Sequence, residues 1–268
     1  MARHVGASAV LLSVALLFVG LSGGGIWPAK AAACDHFLTT VIFVITGGIF
    51  FTGVVICCSE EDNWCILCPA GCLKMLFVLL LLAIGIFAFA VSKDGGAQSV
   101  VGSGYKQFDL DGYSTWLRHR VRNEAVWKSI KGCIMKREEC QQLLHARPDK
   151  TTRVVKFNDL QSGCCKPPDI CRFTVINQSE STYAPPPDAS SSSLSDALDR
   201  DPDCRRFVVD GDEKCFECDS CRAAFLETLR RRWRIVAMIS IPIAGMLICG
   251  GGEEARKRQS FEQNRLRG

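Results

Sequence analysis

Residues 76–91 read LFVLLLLAIGIFAFAV, sixteen consecutive positions without a charged side chain. With its flanks the block runs over 73–91, and Lys74 sits only at its edge. In hydrocarbon every backbone amide must find its partner within the segment, so a block of this length is read as a helix crossing a bilayer. Three further blocks have the same character. Residues 5–22 are apolar throughout, 37–58 carry no charge and are rich in Val, Ile and Phe, and 235–250 read IVAMISIPIAGMLICG. The last is short, about 24 Å as a helix against a hydrocarbon core of about 30 Å. Trp233 and the arginines before it lengthen it at the interface. Block 5–22 has a rival reading as a cleaved signal peptide, with Arg3 and His4 before it and Ala29-Lys30-Ala31 as a cleavage site. Its apolar run is longer than a usual signal core, which favours retention.

The expected architecture is therefore an all-α membrane protein. Four transmembrane helices (5–22, 37–58, 73–91, 235–250) are joined by a small extracellular loop (23–36), a cytosolic loop (59–72) and a large extracellular loop (92–234). A cytosolic tail (251–268) follows. Charge divides on orientation: the tail carries five Lys/Arg, but Arg230, Arg231, Arg232 and Arg234 press on the other end of the fourth span. Cysteine decides it. Nine of the sixteen cysteines lie in the large loop (Cys133, Cys140, Cys164, Cys165, Cys171, Cys204, Cys215, Cys218 and Cys221). Together with the sequon Asn177-Gln178-Ser179, a glycosylation site, they belong where disulfides and glycans form. The large loop is placed outside and both termini in the cytosol.

Within the large loop, Tyr113, Trp116, Leu117, Val121, Trp127 and Ile130 fall at helical spacing on one face, with Ser114 as a cap. Residues 216–234 are helical again and run into the fourth span. Residues 179–203, SESTYAPPPDASSSSLSDALDRDPD, have little apolar surface to bury and are read as a mobile insert. Adjacent cysteines do not readily bond to each other, so Cys164 and Cys165 are expected to reach separate partners. The loop count is odd, so one cysteine either stays free or pairs between chains. Even eight cysteines allow 105 pairings, among which sequence does not choose.

The run Gly163-Cys164-Cys165-Lys166-Pro167, with Phe216-x-Cys218-x-x-Cys221 before the last span, resembles the plant-type tetraspanins. Gly23-Gly24-Gly25-Ile26-Trp27, Cys57-Cys58, Gly104-Tyr105-Lys106 and Tyr113-Ser114-Thr115-Trp116-Leu117 extend the resemblance over roughly residues 20–245. It departs from that family at Cys65, Cys68 and Cys72, which enlarge a loop usually very short, at Pro28, at the Pro/Ser insert and at the short fourth span. The resemblance implies four spans, a small first loop and a large, mostly helical, disulfide-stabilised second one. It also implies that Cys164 and Cys165 each bond to later loop cysteines, Cys171 and Cys221 among them. Its implied role is lateral organisation of partner membrane proteins, other tetraspanins included.

Cys215-x-x-Cys218-x-x-Cys221 has the spacing of a metal or iron–sulfur site, but Phe225 stands where the next ligand would fall, so disulfides are preferred and no metal or cofactor is expected. Cys57, Cys58 and Cys249, at span ends, are either helix filler or S-palmitoylation sites, the latter preferred at the first two. Cys65, Cys68 and Cys72 are undecided. Gly47, Gly48 and Gly53 read as small residues that let helices approach. Arg230–Arg232 read as an interfacial anchor, with lipid headgroup binding as the weaker option. His4, His36, His119 and His145 fit no ligand or base spacing. No catalytic arrangement is found, and a net charge of +4 without a basic, aromatic-interleaved stripe argues against nucleic acid. A channel or transporter is disfavoured because the spans hold no charged side chain. Two functions remain. One is a non-enzymatic scaffold whose partners are membrane proteins and lipids; the alternative is a membrane-bound thiol oxidoreductase using Cys215 and Cys218 or Cys65 and Cys68.

Overall fold

The computed structural model describes residues 34–58, 64–100, 105–137, 140, 157–177, 182–184, 201–209 and 215–267. The expected first span, 5–22, lies outside them. The chain divides into two compact units, one holding residues 36–90 and 233–268, the other 29–35 and 91–232.

The first unit contains helix α1 (His36–Cys58), most of α2 (Trp64–Ser92) and the C-terminal part of a long helix, Asp219–Arg267, numbered α7 below. Among the described residues, two stretches are long and apolar enough to cross a membrane, Met75–Ser92 and Asp219–Cys249, and Phe37–Gly48 is a shorter apolar stretch. The helices exceed the expected spans. α2 begins inside the expected cytosolic loop at Trp64, and α7 continues past the expected fourth span through the glycines at 250–252 to Arg267. Helix approach is governed by particular glycines. A Cβ on Gly48 would fall 2.0 Å from Phe77 Cε2, and one on Gly85 would fall 2.8 Å from Ile241 Cγ1, whereas Gly47 meets nothing within 4 Å. Trp233 packs edge-on against Phe87 with ring centroids 5.4 Å apart. The outward faces are apolar, with Phe51, Leu76, Leu79, Ile86, Phe89 and Met246 all more than half exposed. Thr46 and Ser240 are satisfied within their own helices, donating to Ile42 O at 2.8 Å and Val236 O at 2.7 Å. Such faces suit a lipid surround rather than water.

The second unit is mostly helical, with two small antiparallel hairpins. Strand β1 (Ala97–Ser99) pairs with β2 (Lys106–Phe108). Then follow α3 (Thr115–Arg122), α4 (Glu124–Lys136) and α5 (Asp159–Cys164). Strand β3 (Thr174–Asn177) pairs irregularly with β4 (Thr182–Ala184), and α6 (Pro202–Val209) precedes the start of α7. The strands were not expected, since three or four residues leave no room for visible alternation.

The apolar face read over 113–133 is real, but the helix is two helices. Asn123 leaves helical backbone (φ −71°, ψ 112°), and its side chain accepts from Ala125 N at 3.1 Å and Val126 N at 3.3 Å, capping α4. Ser114 occupies the cap position of α3, yet its hydroxyl makes no capping bond. Leu117, Val121, Trp127, Ile130 and Ile134 are buried, and Phe225 of α7 meets Trp127 edge-on at 6.2 Å. Trp116 is only half buried, with the Arg120 guanidinium 5.6 Å from its ring. The insert also needs correction at both ends. Thr182–Ala184 is a strand and α6 starts at Pro202, while residues 185–200 lie outside the described ones.

Candidate interaction site in the disulfide-stapled domain

The site is built around α5 and the turn after it. Asn158 starts α5 with a reciprocal cap: its side chain accepts from Gln161 N at 2.7 Å, and the Gln161 side chain accepts from Asn158 N at 3.0 Å. The helix lies against α7 so closely that a Cβ on Gly163 would stand 2.4 Å from Ala224 Cβ and 2.5 Å from Ser220 O. Only glycine permits that approach. Ser220 Oγ donates to Gly163 O at 3.1 Å, and Cys215 N donates to Cys164 O at 2.9 Å. Asp203 caps α7 from a distance, its two carboxylate oxygens accepting from Asp219 N at 2.7 Å and Ser220 N at 2.8 Å. Sequence reasoning missed Asp203, because the residues it caps lie sixteen and seventeen positions on.

Five disulfides tie the unit together: Cys34–Cys133, Cys140–Cys165, Cys164–Cys221, Cys171–Cys204 and Cys215–Cys218. The odd loop count is resolved by Cys34, which reaches Cys133 from the small loop, 99 residues away, so neither a free loop cysteine nor an interchain bridge is needed. Cys164 and Cys165 do take separate partners, but Cys165 turns back to Cys140, not to a later cysteine. Cys171 pairs with Cys204. With Cys215 bound to Cys218 and Cys221 to Cys164, the CxxCxxC thiols are not free to share an ion. Cys72 and Cys249 are exposed free cysteines. Cys57 and Cys58 form the last turn of α1, their side chains outside the described residues, and Asn177 ends β3.

Two of the arginines before the expected fourth span, Arg230 and Arg231, are ion-paired within the loop domain. Arg230 makes a two-pronged pair with buried Glu227, both contacts at 2.9 Å, and Tyr113 OH donates to the same carboxylate at 3.2 Å. Burial pushes the Tyr113 hydroxyl well above its usual value, and the Glu227 charge adds to it. Arg231 reaches Asp159 at 3.0 Å, which Lys106 also meets at 2.9 Å. Asp35 pairs with Arg120.

Clefts open among the described residues of this unit, and two of them hold ionisable groups beside aromatic rings. In the first, of about 410 Å³, Glu217 bonds Lys131 beside Trp127. Burial pushes the Glu217 carboxyl up, but Lys131 and Arg222 together outweigh it and hold it below the usual range. The second, of about 380 Å³, is formed by Tyr105, Lys166, Pro167, Pro168, Asp169, Phe173 and Tyr183. Lys166 is 4% exposed. Its ammonium donates to Pro167 O at 3.1 Å and Asp169 Oδ1 at 2.8 Å, and lies 3.9 Å from the Tyr105 ring centroid. Burial pushes it below the usual lysine value, with Asp169 opposing. Tyr105 OH donates to the same oxygen of Asp169 at 3.1 Å. Arg172 then adopts φ 52°, reversing the chain before Phe173.

Long apolar helices with apolar outer faces, joined to a domain held by five bridges, define a helical membrane protein carrying a disulfide-stapled loop domain. The tetraspanin family model matches residues 6–250, and the chain belongs to the tetraspanin family. Its members are multi-pass membrane proteins that associate with other membrane proteins, and membership implies a membrane scaffold role. Tetraspanin-8 of Arabidopsis thaliana is 31% identical over 247 residues, spanning 88% of this chain and 85% of that protein. Tetraspanin-7 of the same plant is 31% identical over 246 residues, 87% of each chain, and Tetraspanin-2 is 29% identical over 249, spanning 90% and 87%. No solved structure matches the chain.

Proposed function

We propose that this chain is a non-enzymatic four-span scaffold. Its loop domain faces away from the cytosol and recruits the outer domains of partner membrane proteins, while the spans and acyl chains on Cys57, Cys58 and Cys249 gather them laterally. A glycan on Asn177 fits the same orientation. The observation that carries the reading is the contrast between helices whose exposed faces are apolar and a loop domain held by five disulfides. Bridges of this number belong in an oxidising compartment. At Cys215 and Cys218 the thiol oxidoreductase alternative is disfavoured by burial, 1% and 0% exposed, since exchange needs an attackable sulfur; the side chains of Cys65 and Cys68 lie outside the described residues. The test is proximity labelling by an enzyme inserted in the serine run 190–193. Membrane proteins labelled on their outer domains are expected, with the set lost in Cys164→Ser or Cys165→Ser, whose unfolded loop should be retained in the secretory pathway. Labelling of cytosolic proteins alone, or normal surface delivery of both variants, refutes the proposal.

A further inference from the structure

We propose that the 380 Å³ cleft beside the Gly163–Pro168 turn binds a neutral sugar unit. Its volume falls at the lower end of small-ligand sites. Its walls are aromatic and fixed: Phe173 and Tyr183 both pack edge-on against Phe207, centroids 5.5 and 6.0 Å apart. The Cys171–Cys204 bridge ties the turn at its base to α6. Rings held in this way offer flat apolar surfaces to the C–H faces of a pyranose.

The polar groups choose among ligands. Lys166 has three N–H groups, and two hydrogen bonds and the Tyr105 ring occupy its ammonium, so an anionic guest finds no free donor there. A cationic guest would have to sit beside that same ammonium, which already neutralises Asp169 at 2.8 Å. What stays open among the described residues is Asp169 Oδ2, an acceptor, and the Tyr183 hydroxyl. A proline-rich peptide, the usual guest of aromatic grooves, has carbonyls but few N–H groups and would leave that carboxylate oxygen desolvated without a donor. Sugar hydroxyls donate as well as accept, and so satisfy both groups. The biological sense of such a site rests on the outward placement of the loop proposed above. Its chemistry does not, and binding to purified protein is judged separately from topology.

The experiment uses the full chain in detergent micelles with its bridges intact, verified by mass before and after alkylation without reductant. Saturation-transfer NMR is recorded with glucose, galactose, arabinose and cellobiose, with galacturonate, protonated hexylamine and a polyproline hexapeptide alongside. At least one neutral sugar is expected to bind with a Kd of about 1 mM. Tyr183→Ala should weaken it about tenfold, and Tyr183→Phe, which keeps the ring, by a smaller factor. The idea is overturned if no neutral sugar gives transfer, if Tyr183→Ala binds as the parent does with all bridges formed, or if the peptide, the acid or the amine binds in preference.

Discussion

Gly163→Ala places a methyl carbon 2.4 Å from Ala224 Cβ and 2.5 Å from Ser220 O. The second contact decides the sign. Ser220 O is backbone in the first turn of α7, where Asp203 holds the Ser220 amide and where Cys221 is bonded to Cys164 beside the substituted residue. The obstacle cannot swing away, so α5 must shift. Overpacking of this kind costs about 1–3 kcal/mol. Against it, replacing a helical glycine by alanine returns roughly 0.5–1 kcal/mol through backbone entropy. Taken at mid-range, the net is a loss of about 1–2 kcal/mol, or a fall of roughly 2–8 °C in Tm at about 2–4 °C per kcal/mol. Gly132→Ala is the matched control. Gly132 lies inside α4 with nothing within 4 Å of a built Cβ, so the entropic gain stands alone and Tm should rise slightly. The assay is thermal unfolding of the full chain in one detergent without reductant, read by near-UV circular dichroism. A Gly163→Ala protein melting at or above the parent temperature would refute the packing argument.

Three further outcomes follow from particular contacts. Cys34→Ser should leave Cys133 as an alkylatable thiol in unreduced protein, detected as one added label by mass; no new label would mean that the two are not bonded. The folded Glu217 carboxyl titrates below its unfolded value of about 4.3, so its pairing with Lys131 and Arg222 stabilises the domain above that value. That contribution is lost as pH falls through the lower, folded value, so the stability gap between parent and Glu217→Gln should close on acidification. An unchanged gap from pH 7 to pH 3 would contradict this sign. Acyl chains on Cys57, Cys58 and Cys249 should appear as hydroxylamine-sensitive label that falls when these cysteines become serine, and absence of signal in the parent removes acylation from the scaffold reading.

What was legible in the sequence depended on range. The face through Leu117, Val121, Trp127 and Ile130 is a local periodicity, and its residues are buried as that periodicity puts them. The break at Asn123 was legible too, since asparagine followed by Glu124 is a helix start, but the continuous apolar spacing masked it. The partners of Cys165 and Cys133 were not. Spacing constrains a disulfide only through loop length, a weak function, and Cys140 and Cys34 are selected by where α4 and α5 bring the chain. Glu227, Arg230 and Arg231 failed for a related reason. On sequence they are part of a charged run beside a span, and only the arrival of Tyr113 and Asp159 from elsewhere in the loop gives them partners.

Gly163, Cys164 and Cys165 stand next to one another for a physical reason. Gly163 removes the side chain that would hold α5 off α7, Cys164 bonds across the contact so created to Cys221, and Cys165 faces the opposite way to Cys140. Lys166 then buries its ammonium at the end of the same turn, where Asp169 and the Tyr105 ring compensate the desolvation. Each residue depends on the one before it. A larger residue in place of the glycine would shift α5 and strain the bridge that follows it, and without the bridges the turn that sets Asp169 opposite Lys166 would be held less firmly. Substitutions along the turn should therefore be strongly non-additive, as expected for groups sharing one packed contact. The double variant Gly163→Ala/Lys166→Met should lose less stability than the sum of the two singles, because the first already loosens the turn that the second perturbs. Additive losses in the same unfolding assay would mean that packing and buried charge act independently here.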